Sequence, residues 1–423
     1  MRALASALSY LVFALVAPFL FFVARTRRGW RRRLGHYPGD PVTAPGPRVW
    51  LHGASAGDVL GLVPIVKELK RLRPDARIVV SAMTDSGAAM AEQKLLAQGL
   101  CDAVTWVPWD LPHAVNGALK TVRPDVLVLE YTELWPQLIH AASRAGIRLV
   151  LTNGRIGERN LTRYRVLFAL LGNLLASFDL LLMRSEDEAE RVLLLGAPKV
   201  RVHVTGNTKF DALSVSVPEA IDPALRDALG CAGERLWVCG STHEGEEGPL
   251  LTSFARLRQE FPDLRLVLAP RYVERAPRVL ALAKEQGLTA RLRSTPGGTE
   301  AVIVLDTIGE LVRTYMLATV VFVGGSFGKR GGQNILEPAA CGKPVLFGPH
   351  MENFVDPVQV LVGRGGLQVS TPVALEKLLR DLLARPDELD KLGKLAREAA
   401  TSVRGASLRD AKLIAGLLPE ARA

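Results

Sequence analysis

From residue 48 onward the chain alternates short apolar runs with longer amphipathic ones, and this alternation restricts the fold more than any other feature. RVWLHGA, ARIVVSA, DAVTW, DVLVLE, IRLVLTN, FDLLLM and VRVHVTG are strand-length and apolar along both faces, as strands buried on both sides must be. Between them lie segments with helical periodicity, such as VPIVKELKRLR and EDEAERVLLLG. Strand and helix in strict succession predict an α/β fold, a doubly wound parallel sheet. The pattern weakens over 207–235, where KFDALSVSVPEAIDPALRDALG reads as a linker followed by a helix. A second series then begins: RLWVCGS, LRLVLAP, AVIVLD, VVFVGG, KPVLFG and GGLQVS. The tail from about residue 385 is helical and mixed in charge. A chain of 423 residues suits two such domains. The expected boundaries are 46–210 and 211–385, with C-terminal helices over 386–423.

The N-terminus differs in kind. Residues 3–24 carry no charge and are mostly apolar. At roughly 1.5 Å per residue they can span, or nearly span, a bilayer. Residues 1–35 hold Arg2, Arg25, Arg27, Arg28, Arg31, Arg32 and Arg33 and no acid, so of the formal net charge of +10 they supply +7. A signal peptide carries its positive charge before the apolar run; here most of it follows. The segment 1–35 therefore reads as a membrane-anchor helix with a basic juxtamembrane stretch. Everything after Arg25 falls on the cytoplasmic face of the inner membrane, and the arginines beside Trp30 meet an anionic lipid surface. A helix lying in the interface, because of Pro18, and a signal peptide are the alternatives. Only +3 remains for the rest of the chain, which excludes a diffuse basic surface for nucleic acid. The cysteines Cys101, Cys231, Cys239 and Cys341 form no metal-ligand spacing and read as reduced core residues.

Polar residues gather where strands end. LHGASAGDVLG closes the first strand with small residues and opens a helix, which brings Asp58 to the carboxyl edge of the sheet as a base for a hydroxyl. Ser55 or Asp58 serves equally as that helix's cap. LEYTELWPQLI places Glu130 beside a buried strand, where a carboxylate is costly without a partner; Glu133 also suits a cap. GNTKFD puts Lys209 beyond the last strand of the first domain, facing either a phosphate or carboxylate or only solvent. Ser241, Thr242 and Arg271 follow the first two strands of the second domain, where phosphate oxygens are held. The longest signal is VGGSFGKRGGQNILEPAACGKPVLFGPHMENF. It reads as a glycine turn opening a helix near Gln333, with Glu337 one turn in to meet ribose hydroxyls; packing alone is the other use of such a turn.

Taken in order, these motifs resemble the Kdo transferase family, which moves 3-deoxy-D-manno-octulosonic acid (Kdo) from CMP-Kdo to a lipid A precursor in lipopolysaccharide synthesis. They are HxxSxGE-like (His52 to Asp58), ExxELWP (Glu130 to Pro136), NxR (Asn153 to Arg155) and GNxKFD (Gly206 to Asp211) in the first half. STHxGEE (Ser241 to Glu247), PR (Pro270, Arg271), GE (Gly309, Glu310), GGxNxLEP (Gly331 to Pro338) and GPHxxNF (Gly348 to Phe354) follow. The resemblance implies a GT-B architecture: two Rossmann-like domains facing a cleft, with ligands at the carboxyl ends of the strands.

It further implies direct inverting transfer without a metal or other cofactor. Asp58 falls where the family has its base, and Glu130 and Lys209 where groups assist the transition state. Ser55, Ser241, Thr242, Pro270, Arg271, Ile308, Gly309, Glu310, Gly332, Asn334, Ile335, Leu336 and Glu337 fall on substrate and CMP contacts. Three positions depart from the family pattern: aspartate replaces the glutamate base at Asp58, and Tyr272 and Gln333 stand where the family has histidines. The departures keep two alternatives open, a related transferase with another donor or acceptor and a non-catalytic nucleotide-sugar-binding protein.

Overall fold

Most of the apolar runs become strands because they are long enough to cross a sheet and apolar enough to be covered on both faces. The exception is VRVHVTG, whose edge strand has no buried residue, since no strand covers its outer side. In the first series they are β1 (Arg48–Gly53), β2 (Arg77–Ala82), β3 (Ala103–Trp106), β4 (Val126–Glu130), β5 (Arg148–Gly154), β6 (Leu180–Met183) and β7 (Val202–Val204). They form one seven-stranded sheet in the order β3-β2-β1-β4-β5-β6-β7. In the second series they are β8 (Leu236–Thr242), β9 (Arg265–Pro270), β10 (Ala290–Leu292), β11 (Val302–Val304), β12 (Val320–Val323), β13 (Val345–Phe347) and β14 (Gly366–Gln368). Their order is β10-β11-β9-β8-β12-β13-β14. Pairing is parallel throughout, for example β1 with β4 through Val49 and Val126, and β8 with β12 through Trp237 and Val320. Strand β10 is absent from the apolar series read above: it is a three-residue edge strand with Arg291 at its centre, so it has no continuous apolar run.

This computed structural model describes residues 9–11, 13–15, 28–213, 217–218, 220–230 and 233–420. The chain divides into two compact units. One runs up to Ala212 and resumes at Val403; the other is Leu213–Ser402. The helices that matter for the site are α1 (Ala56–Leu72), α2 (Pro136–Arg144), α3 (Thr208–Leu213), α4 (Glu247–Glu260), α5 (Leu336–Ala340), α6 (Pro386–Ser402) and α7 (Ala406–Ala415).

In the first unit the sheet lies between two apolar layers. Trp50, Leu127, Leu149 and Phe178 belong to one, and Leu51, Val128, Leu62 and Ile65 to the other. Helix α7 and the residues just after it complete the second layer: Ala411 and Ile414 of the helix, and Leu418 beyond it, pack there with α1. The tail over 386–423 is thus shared between the units, α6 in the second and α7 in the first. The second unit has its own core around Trp237, Phe254, Leu266 and Phe322. Cys101 and Cys239 are buried free thiols, Cys341 is a half-buried one, and Cys231 lies outside the described residues.

Most of residues 3–24 lie outside the described residues, and among the described residues no helix is long and apolar enough to cross a membrane. What is described of this segment touches the first unit. The Tyr10 hydroxyl lies 2.8 Å from His113 Nδ1, Phe13 packs on Trp109, and Gln137 donates to the Ser9 hydroxyl. The basic stretch needs one correction. Arg33 does not face lipid: its side chain is buried, with the guanidinium over the rings of Trp106 and Trp109 at 4.6 and 5.1 Å and a hydrogen bond to the Met83 carbonyl. Burial holds its pKa down near 10, and two tryptophan faces substitute for water around the cation.

Candidate active site

Strand β1 ends at Gly53, and the first turn of α1 folds back over that end. Asp58 Oδ2 accepts from the Ser55 amide at 3.0 Å and from the Ser55 hydroxyl at 2.7 Å. Its other oxygen, Oδ1, lies 3.5 Å from Lys209 Nζ, and the side chain is 21% exposed. One Asp58 oxygen therefore closes the helix start, as the cap reading expects, and the other faces outward beside a cation. Ser55 is occupied by the cap. Lys209 comes from α3, and its ammonium sits 4.2 Å from the centre of the Tyr131 ring. Burial works to lower the Lys209 pKa, but Tyr131, Asp58 and Glu130 outweigh it, and the net shift is upward.

Glu130 ends β4 and is fully buried. Its Oε1 accepts from Asn153 Nδ2 at 2.6 Å, while Oε2 has no hydrogen-bond partner among the described residues. Burial pushes this carboxyl well above the usual range, against the pull of Asn153 and Lys209. Asn153 is the hub that the sequence reading quoted without a role. It sits at φ 50°, donates to Glu130, and accepts the Thr208 amide at 2.9 Å, which fixes the start of α3. The Thr208 hydroxyl donates to the Gly61 carbonyl at 2.9 Å. Gly61 is closely packed: a Cβ there would stand 3.0 Å from Glu130 Oε1 and 3.4 Å from Asn153 Nδ2, so these side chains would have to shift.

Glu133 is not a helix cap. Its Oε2 accepts from Trp135 Nε1 at 2.8 Å and lies 3.9 Å from Nε2 of the buried His52. Burial raises the Glu133 pKa and lowers that of His52 to about 4, so the imidazole is neutral. These residues bring Asp58, Lys209, Tyr131 and Glu130 together at the carboxyl edge of β1 and β4, where ligands of open parallel sheets bind.

In the second unit the polar cluster is organised by a residue whose role the sequence reading missed. Glu246 is 4% exposed. Its Oε2 accepts from the amides of His243 and Gly325 at 2.9 and 2.8 Å, and its Oε1 from those of Ser326 and Phe327 at 3.0 Å each. One carboxylate thus joins the loop after β8 to the glycine loop after β12. The neighbouring Glu247 pairs with Arg275 at 2.7 Å. The available signal was the pair of adjacent acids directly after a strand end.

Ser241 takes φ 55°, and Thr242 Oγ1 is buried without a hydrogen-bond partner among the described residues. Pro270 ends β9, and the Arg271 amide donates to the Thr242 carbonyl at 2.9 Å. Tyr272 packs edge-on against His243, and Gln333 Nε2 lies 3.4 Å from His243 Nε2. Both residues that stand in place of family histidines therefore converge on His243.

The helix expected near Gln333 starts later, at Leu336, and is five residues long, so Glu337 is its second residue. Gly331 and Gly332, at φ 81° and 79°, prolong the turn, and Asn334 Oδ1 accepts the Leu336 amide at 3.1 Å. Asn334 Nδ2 donates to Glu337 Oε1 at 3.0 Å and to the Leu213 carbonyl at 2.9 Å. Ile335 and Leu336 are core residues. Burial raises the Glu337 pKa; Asn334 and the Arg271 charge act against it. The Ile308–Gly309–Glu310 turn is held separately: Glu310 accepts from Thr307 at 2.6 Å and pairs with Arg293 at 3.2 Å, while Ile308 is 89% exposed.

The family model for 3-deoxy-D-manno-octulosonic-acid transferase (kdotransferase) matches residues 28–212. The 3-deoxy-D-manno-octulosonic acid transferase of Haemophilus influenzae is 33% identical over 395 residues, which cover 91% of this chain and 90% of that protein. The chain belongs to the 3-deoxy-D-manno-octulosonic acid transferase family. Another member, from Chlamydophila psittaci, is 30% identical over 82% of this chain and 80% of its own length. The fold of this family member extends further: UDP-GlcNAc 2-epimerase of Neisseria meningitidis superposes with a TM-score of 0.54 over 86% of this chain and 99% of its own, at 16% identity.

Proposed function

We propose that this chain transfers Kdo from CMP-Kdo to a hydroxyl of a lipid A precursor, with inversion and with Asp58 as the general base. The observation that carries this reading is the Asp58–Lys209 contact at 3.5 Å, at the carboxyl edge of β1, in a member of the Kdo transferase family. Asp58 Oδ1 takes the proton of the acceptor hydroxyl as that oxygen attacks the anomeric carbon. The bond from that carbon to the CMP phosphate breaks, and CMP leaves with the electron pair. Lys209 supplies positive charge beside the base, and Glu130, buried beneath it and held by Asn153, assists from there. Arg271 and the polar groups of Ser241 and Thr242 take the donor phosphate; Asn334 and Glu337 take the ribose. Charge built up in the transition state is met by groups already in place, which is the most effective form of electrostatic catalysis.

The acceptor is a lipid, so the protein works at a membrane. The apolar segment 3–24 and the exposed arginines that follow it hold the protein to the inner membrane, with both units on the cytoplasmic face. A second reading rests on the convergence of Tyr272 and Gln333 on His243: a rebuilt donor contact would suit a related nucleotide sugar. A transfer assay with radiolabelled CMP-Kdo and a lipid A precursor decides between them. Label in the lipid product supports Kdo transfer. CMP binding without transfer, to any lipid A precursor offered, defeats it.

A further inference from the structure

Adjacent residues at the end of β4 have opposite fates. Glu130 is fully buried, whereas Tyr131 is half-buried and takes a left-handed φ of 62°. A large side chain is strained in that region. The conformation is pinned by the Tyr131 amide, which donates to the Thr152 carbonyl at 2.9 Å. Strain of this kind survives where the surroundings enforce it, and it gathers at functional sites. Here it turns the Tyr131 ring towards two cations. Lys209 Nζ lies 4.2 Å from the ring centre and the Arg184 guanidinium 5.6 Å, the latter paired with Glu188 at 3.1 Å. A lysine on a flexible four-carbon stem is a poor tool unless something holds it. Lys209 is 28% exposed, and its 3.5 Å contact with Asp58 is loose for an ion pair.

We propose that Tyr131 is a positioning residue for the transfer reaction: its ring is the platform that fixes the Lys209 ammonium beside Asp58. The proposal rests on the transfer reading above and adds a residue which that reading does not use. The ring acts through Lys209 and touches no reacting atom.

A double-mutant cycle tests it. Tyr131→Leu should lower kcat on the order of tenfold, the scale of a partly desolvated cation–π contact, with KM for CMP-Kdo within about twofold. Tyr131→Phe, which keeps the ring, should recover most of the loss. In a Lys209→Ala background, Tyr131→Leu should cost nothing further. Losses that simply add, a leucine variant at the wild-type rate, or a phenylalanine variant as slow as leucine would each overturn the proposal. Should leucine prevent folding, Tyr131→Asn, which tolerates a left-handed backbone, takes its place with the same expectations. A readout independent of transfer separates the two ideas. After reductive ¹³C-methylation, the Lys209 methyl resonance should be shifted by the ring current in the wild type and not in Tyr131→Leu. A shifted resonance in a chain that transfers no Kdo defeats the function and leaves the platform standing. An unshifted one defeats the platform.

Discussion

The two oxygens of Asp58 face different partners, and substitution can separate their uses. Oδ2 holds the Ser55 amide and hydroxyl, and Oδ1 faces Lys209. An amide keeps the capping oxygen and cannot take a proton. Asp58 is the third residue of its helix, so Asp58→Asn keeps an acceptor for the Ser55 amide and hydroxyl and should cost no more than about 1 kcal/mol, the worth of a carboxylate charge at a helix start. Transfer should fall by about 10²- to 10⁴-fold in a single-turnover assay. Unchanged turnover would remove Asp58 from the mechanism. Gly61→Ala tests the buried layer beneath. The added Cβ would meet Glu130 Oε1 at 3.0 Å, and neither Glu130 nor Asn153 can yield while they hold each other. We expect a loss of about 1–3 kcal/mol in chemical denaturation, together with slower transfer. Asp58, Glu130 and Lys209 were legible in the sequence because charged residues at the ends of apolar strands stand out. Tyr131 was not, because nothing in its neighbours announces a left-handed backbone.

Helix α7 shows what an element contributes when it crosses back. It brings Asp410 against the sheet of the first unit, where Asp410 accepts a hydrogen bond from the Thr152 hydroxyl and is fully buried. Burial raises its pKa from 3.8 to about 6. Between those values the unfolded chain has released the proton and the folded unit still holds it, so this group's contribution to stability falls as pH rises and levels off above about pH 6. Asp410→Asn cannot ionise and still accepts from Thr152. It should match the wild type below about pH 4 and exceed it above pH 6 by on the order of 3 kcal/mol. Denaturant titrations of both proteins across that range check the sign; equal stability at pH 7 would mean that folding does not raise the Asp410 pKa. That the tail is helical could be read from its periodicity. That its last helix belongs to the first unit could not, because Asp410 and Thr152 lie 258 residues apart.

Taken as a whole, the chain concentrates its net positive charge in its first 35 residues, and only tertiary packing shows that one of those charges is buried. Arg33 is removed from the surface by Trp106 and Trp109, while Arg31 is exposed. If residues 3–24 hold the protein to the membrane, deleting residues 1–24 should shift most of it from the membrane to the supernatant fraction. The exposed arginines should retain a salt-sensitive remainder on anionic vesicles. An undiminished membrane fraction at high salt would place the attachment elsewhere. Arg33→Ala should act otherwise, destabilising the first unit by about 1–3 kcal/mol, because it empties a packed site.

The sequence by itself determined the kind and order of nearly all the strands, the division into two α/β series and the strand ends where chemistry gathers. These follow from the length and period of apolar runs, which are local properties that each segment carries with it. The three-residue edge strand β10 escaped because it has no such run. Tertiary structure alone decided that Glu246 would close the glycine loop, that Asn153 would join Glu130 to the start of α3, that Arg33 would be buried, and that Tyr131 would lie under Lys209. Each of these depends on groups distant in sequence meeting in a dry place, where an unpaired charge or amide is too costly to leave and a partner must be found.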